Sequence, residues 1–168
     1  MMSNYKFALA TAGMICLASA QSMAALSSTD RTFAEKAAAG GLAEVSLGQL
    51  AQQNGSSQQV KDFGQRMVTD HTQANQELQQ IAQTDNLTLP TTPDSKDQAI
   101  EKRLSALKGS SFDAAYTQDM VKDHQQDIAE FKREAQSGQD PALKAFAQKT
   151  LPVLQQHLQM AESARAQK

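Results

Sequence analysis

Met67-Val68-Thr69-Asp70-His71 returns later in the chain as Met120-Val121-Lys122-Asp123-His124, and a third, weaker echo surrounds His157. These are the three histidines of the sequence. Each falls where a helical period would place an apolar residue. Val60, Gly64, Met67, His71, Ala74, Leu78 and Ile81 step by threes and fours, as do Tyr116, Met120, His124, Ile128 and Phe131. Leu143, Phe146, Thr150, Val153, His157, Ala161 and Ala164 form the third stripe. The spacing therefore predicts helices whose inward faces carry the imidazoles. Burying an imidazole without a partner is costly, and three buried together point to a shared one, for which a metal ion is the candidate.

The first residues read as a leader rather than as structure. Lys6 supplies a positive start, Phe7 to Ala20 is an apolar run too short to span a bilayer, and Ser22-Met23-Ala24 offers small residues for cleavage after Ala24. This predicts a signal peptide over 1–24 and a periplasmic or secreted protein. Cys16, the one cysteine, lies inside that leader and lacks the small preceding residues of a lipoprotein site. Residues 25–168 would then have no cysteine, so a metal site must be built from His, Met and carboxylates.

The formal net charge of the chain is -2, and no basic stripe or set of surface aromatics marks a nucleic-acid interface. No second apolar run predicts a membrane span. What remains after the leader is one domain's worth of chain, rich in Ala, Gln, Leu, Lys and Glu, which predicts an all-α fold.

Capping residues at Ser27 to Asp30 predict a first helix over 29–53, closed by Asn54-Gly55. Its inner face is small, with Ala37, Gly40, Gly41, Gly48 and Ala51, and Glu44 lies one heptad from both alanines. A neighbouring helix can approach such a face closely, and Glu44 would then share it. Ser56-x-x-Gln59 reads as a capping box for a second helix over 57–84. A breaker-rich link with Pro90 and Pro93 leads to a short helix over 95–107, stopped at Gly109. Ser110-x-x-Asp113 predicts a cap for a helix over 111–136, and Asp140-Pro141 starts the last, with Pro152 inside it as an expected kink. Two long hairpins joined by a long connection holding a short helix describe a ferritin-like four-helix bundle with one crossover.

The sequence also resembles the bacterial domain of unknown function 4142 family. The resemblance is carried by Phe33 and Ala37 leading to Gly41-x-x-Glu44, by Met67-Val68-x-Asp70-His71, by Met120-Val121-x-x-His124, and by Leu151-Pro152-x-x-x-x-His157-Leu158. It implies an exported protein with a ferritin-like helical bundle; it implies no activity. The usual di-iron signature of such bundles pairs a glutamate with a histidine three residues later. Here those positions hold Val68, Val121 and Leu154.

One plausible inner carboxylate therefore remains, and a mononuclear site of Glu44, His71, His124 and His157 is the expected arrangement. Zinc suits it best, with copper or iron as alternatives. Asp127, three residues after His124, is a candidate acceptor for an imidazole N–H or an alternative ligand. Asp70 and Asp123 lie about a hundred degrees round their helices and read as solvent or interface residues. Met67, Met120 and Met160 each lie one turn from a histidine. They are either packing residues or a thioether layer that would favour Cu(I). Three functions fit: a metal-sequestering protein with a stress role, a non-enzymatic interaction module with core histidines and no metal, and a small metal-dependent oxidoreductase. The sequence names no protein partner and no substrate.

Overall fold

A computed structural model describes residues 26–166; the expected leader and Cys16 lie outside them. The described residues form five helices and no strand. Helix α1 spans Ser28–Asn54 and α2 spans Gln58–Thr84. The short α3 covers Ser95–Ser105, followed by α4 at Gly109–Ser137 and α5 at Pro141–Ala166. None is long and apolar enough to cross a membrane.

Several ends form as their residues dictate. The Ser27 hydroxyl accepts from Asp30 N at 3.1 Å, and the Asp140 carboxylate accepts from Ala142 N and Leu143 N at 2.9 and 2.8 Å. Pro141 opens α5 and Pro152 sits within it. The expected cap of α4 does not form: this helix begins at Gly109, two residues early, and its N-cap is Lys108 with no side-chain bond. Gly109, with φ +65, starts α4 instead of stopping α3. Asp113 is recruited elsewhere. Its carboxylate accepts from Ser56 N, Ser56 Oγ and Ser57 N at 3.0, 2.6 and 2.9 Å, so Ser57 rather than Ser56 caps α2. Asp30 mirrors it from α1, accepting from Gln139 N and Asp140 N at 3.2 and 2.9 Å. Each hairpin thus holds the loop of the other, satisfying backbone donors that helix ends leave open.

The long helices meet in the cycle α1–α2–α5–α4, and every neighbouring pair is antiparallel. Along α1 and α2, Gly48 meets Gly64 and Gly41 meets Asn75. Between α2 and α5, Glu77 pairs with Lys149 and Asp70 with His157. The parallel pairs, α1 with α5 and α2 with α4, lie on the diagonals. Returning from the end of α2 to start α4 in the same direction requires the crossover over 85–108, and α3 rests there against α1 and α4.

A Cβ on Gly48 would stand 2.7 Å from Gly64 O, and one on Gly64 would stand 2.6 Å from Gly48 O. Glycine at both positions therefore sets the close crossing of α1 and α2, and Glu44, one turn along, is carried with it towards α2. The apolar core is divided. One half gathers Phe33, Leu78, Phe131, Leu143 and Phe146; the other gathers Val60, Phe63, Leu104, Phe112 and Tyr116. Met67 and Met120 belong to the second half, and Met160 packs against it partly buried. All three methionines therefore lie on one side of the histidines. On every long helix, the residues between the two halves are Glu44, His71, His124 and His157. The bundle carries a polar layer through its middle, where unsatisfied groups cost most.

Candidate metal centre

The four side chains of this layer are almost fully withdrawn from solvent: Glu44 is 3% exposed, His71 5%, and His124 and His157 0%. One nitrogen on each ring is already engaged. His124 Nδ1 lies 3.1 Å from the Met120 carbonyl oxygen. A carbonyl only accepts, so Nδ1 carries the proton and Nε2 presents a lone pair. His157 Nε2 lies 2.9 Å from Asp70 Oδ2. Partial burial opposes ionisation of Asp70, but hydrogen bonds from His157 and Arg66 outweigh it and hold the carboxyl below its usual range. Asp70 is therefore an acceptor, His157 Nε2 donates, and His157 Nδ1 is left with its lone pair.

Those two lone pairs face each other. His124 Nε2 and His157 Nδ1 are 3.4 Å apart. Nitrogen ligands held at about 2.0–2.1 Å by a tetrahedral zinc stand about 3.3–3.4 Å from one another. Glu44 Oε1 lies 3.5 Å from the same His124 Nε2 and has no hydrogen-bond partner. On α2, His71 Nδ1 lies 2.9 Å from Glu44 Oε2, and His71 Nε2 is buried without a partner. One nitrogen from each histidine lies within 4.8 Å of the other two, and atoms of Glu44, Asp123 and His124 form a second such group.

Burial opposes the charged form of every group in the layer. Burial pushes the His71 and His157 imidazoles down to about 4, and burial with the two neighbouring imidazoles holds His124 well below its usual value. All three are neutral near pH 7, the form that ligates. Burial also pushes Glu44 well up, and Asp123 and Asp97 add to it. The groups it meets, His71 and His124, are themselves uncharged, so neither holds its charged form by ion pairing. A buried carboxyl group among neutral imidazoles becomes, on giving up its proton, the donor set of a divalent cation, whose charge would take the place of that proton.

The structure brings Glu44, His71, His124 and His157 together, and it gives their neighbours more definite roles. Asp70, expected at solvent or interface, orients His157 from the seam between α2 and α5. Asp123, expected likewise, is half-buried beside the layer, and burial with Asp97 nearby pushes it up to about 6. A residue preceding an inward-facing one falls at the edge of that face, which in a bundle is the next helix rather than water. The sequence did carry a signal for both: each copy of the repeated motif keeps its Asp. Asp127 makes no hydrogen bond to an imidazole among the described residues. It lines a small cavity beside Glu44, where burial and then the Glu44 charge push its carboxyl well up. Met120 serves through its carbonyl oxygen. Tyr116 is fully buried with an unpartnered hydroxyl, stacked on Phe112.

The sequence model of a family described as "Domain of unknown function (DUF4142)" matches residues 17–164. No curated protein and no solved structure was found to match the chain.

Proposed function

The chain belongs to the DUF4142 family, and we propose that it is an exported protein that binds one transition-metal ion at the middle of its helical bundle. His71, His124 and His157 are the nitrogen ligands, and Glu44 Oε1 faces the fourth position. The observation that carries this reading is the pair of facing lone pairs on His124 Nε2 and His157 Nδ1, 3.4 Å apart. Met120 and Asp70 fix both tautomers from behind, so removing the clash by moving a proton would break a buried hydrogen bond. A cation between the rings relieves it without that loss.

An all-nitrogen and oxygen set fits zinc, with copper and iron following. Sequestration or buffering in the periplasm, in a stress role, agrees with a centre buried beneath two apolar halves. The exported compartment rests on the apolar leader over 1–24. Elemental analysis of untagged protein loaded with zinc and then desalted tests the reading. One zinc per chain is expected, and none in a variant carrying His71→Ala, His124→Ala and His157→Ala. Equal zinc in both proteins would remove the histidines from the site.

A further inference from the structure

The cavity that Asp127 lines lies between α1 and α4, with contributions from α2 and α5, and its volume is about 40 Å³. That is room for one to a few waters, and for a cation shedding its hydration shell, but not for an organic ligand. Glu44 and His71 form part of its wall, as do Asp127, Glu130 and Lys36. We propose that this cavity is the loading path by which a divalent cation reaches the centre, passing from Glu130 by Asp127 to Glu44. The proposal rests on the metal-binding reading of that centre.

Three observations carry it. The carboxylates run from partly exposed to buried: Glu130 and Asp127 are both half-buried, with the Glu130 side chain 30% exposed, and Glu44 is 3% exposed. Glu130 and Asp127 stand one turn apart on the same face of α4, so a cation can be handed between them. Glu44 Oε1, at the inner end, is buried with no hydrogen-bond partner. An ion arriving there meets an open acceptor.

The wall on α1 also departs from what a helix prefers. Gly40 and Gly41 lie together in the interior of α1, where glycine weakens a helix. Gly41 has a packing reason, because a Cβ there would collide with the Asn75 side chain. Gly40 has none: nothing lies within 4 Å of where its Cβ would be. Gly40 lines the cavity, and the space where its side chain would stand is open. Lys36 Nζ reaches Glu130 Oε1 at 2.8 Å from the other side, placing a tethered ammonium at the mouth. An incoming cation competes with Lys36 for Glu130.

Stopped-flow mixing of the metal-free full chain with Co²⁺, read by its absorption, tests the path, alongside equilibrium zinc affinity by chelator competition. Gly40→Leu is expected to slow Co²⁺ uptake by about tenfold or more at every ionic strength, with affinity within about twofold, since it narrows the path without touching a ligand. Its thermal stability should not fall, because leucine is the better helix former. At low salt, Glu130→Gln should slow uptake and Lys36→Ala should speed it, and both effects should shrink as salt screens them. Uptake unchanged by Gly40→Leu, or charge variants that fail to act in opposite directions, would overturn the path while leaving the centre standing. Should Gly40→Leu fail to fold, the two charge variants decide alone. Absence of Co²⁺ uptake by the unaltered protein would instead overturn the centre, and the path with it.

Discussion

Asp70 Oδ2 accepts a hydrogen bond from His157 Nε2 at 2.9 Å, and that bond determines which nitrogen of His157 faces the interior. Without the acceptor the ring is free to rotate or to change tautomer. Asp70→Ala should therefore weaken zinc binding by about 10- to 100-fold, the usual cost of losing a partner behind a ligating histidine. Asp70→Asn, which keeps an acceptor oxygen, should lose less. Arg66 bonds the same carboxylate at 2.5 Å from a half-exposed position, so Arg66→Ala should change affinity little. Competition titration ranks the three; an Asp70→Ala protein with unaltered affinity would detach Asp70 from the centre.

Gly64 tests the link between packing and site. A Cβ there would lie 2.6 Å from Ala51 Cβ and from Gly48 O, neither of which is a flexible tip, so α1 and α2 must separate. Gly64→Ala should cost about 1–3 kcal/mol in urea unfolding, as overpacking does, despite alanine's better helix propensity. Because Glu44 rides on the same crossing, zinc affinity should fall as well. A more stable Gly64→Ala protein would mean that the helices have room to spare.

Much of this architecture was legible in the sequence because it repeats with a helical period. The stripes through His71, His124 and His157 locate three of the four long helices and the polar layer, and the small residues around Glu44 mark the close face of α1. What was not legible is what depends on a neighbour. Asp113 reads as a local cap from its spacing after Ser110, yet it bonds Ser56 and Ser57 from another helix. Asp70 and Asp123 read as solvent or interface residues without a partner named, because the period of one helix cannot show which helix lies beside it. Gly109 looks like a terminator, and only the tertiary path shows that it begins α4.

Glu134 makes stability depend on pH away from the centre. It is 2% exposed with Oε1 unpartnered, and burial, with Asp30 beside it, pushes its carboxyl up to about 7 from a usual 4.5. Between those values the folded state holds a proton that the unfolded chain has released. The contribution of Glu134 is therefore most favourable below about 4.5 and declines as pH rises to about 7. Glu134→Gln mimics the protonated form and should lose this dependence. Melting temperatures of both proteins from pH 4.5 to 8 should show the variant gaining on the parent as pH rises; a constant difference would mean that Glu134 titrates normally.

Met67, Met120 and Met160 share one half of the core, and among the described residues the methionine group that engages a histidine is the Met120 carbonyl. Replacing all three by Leu keeps the backbone and roughly the volume. Each swap should cost less than about 1.5 kcal/mol, and zinc affinity should stay within about threefold. A selective loss of Cu(I) binding in that variant would instead reveal a thioether layer.

X-ray absorption at the zinc edge of the loaded protein examines the ligand set itself. About three nitrogen scatterers with imidazole outer-shell features and one or two oxygens, at about 2.0–2.2 Å, are expected, with no sulfur. The imidazole features should vanish in the triple histidine variant. A spectrum dominated by oxygen, by sulfur near about 2.3 Å, or unchanged on loss of the three histidines would contradict the centre described here.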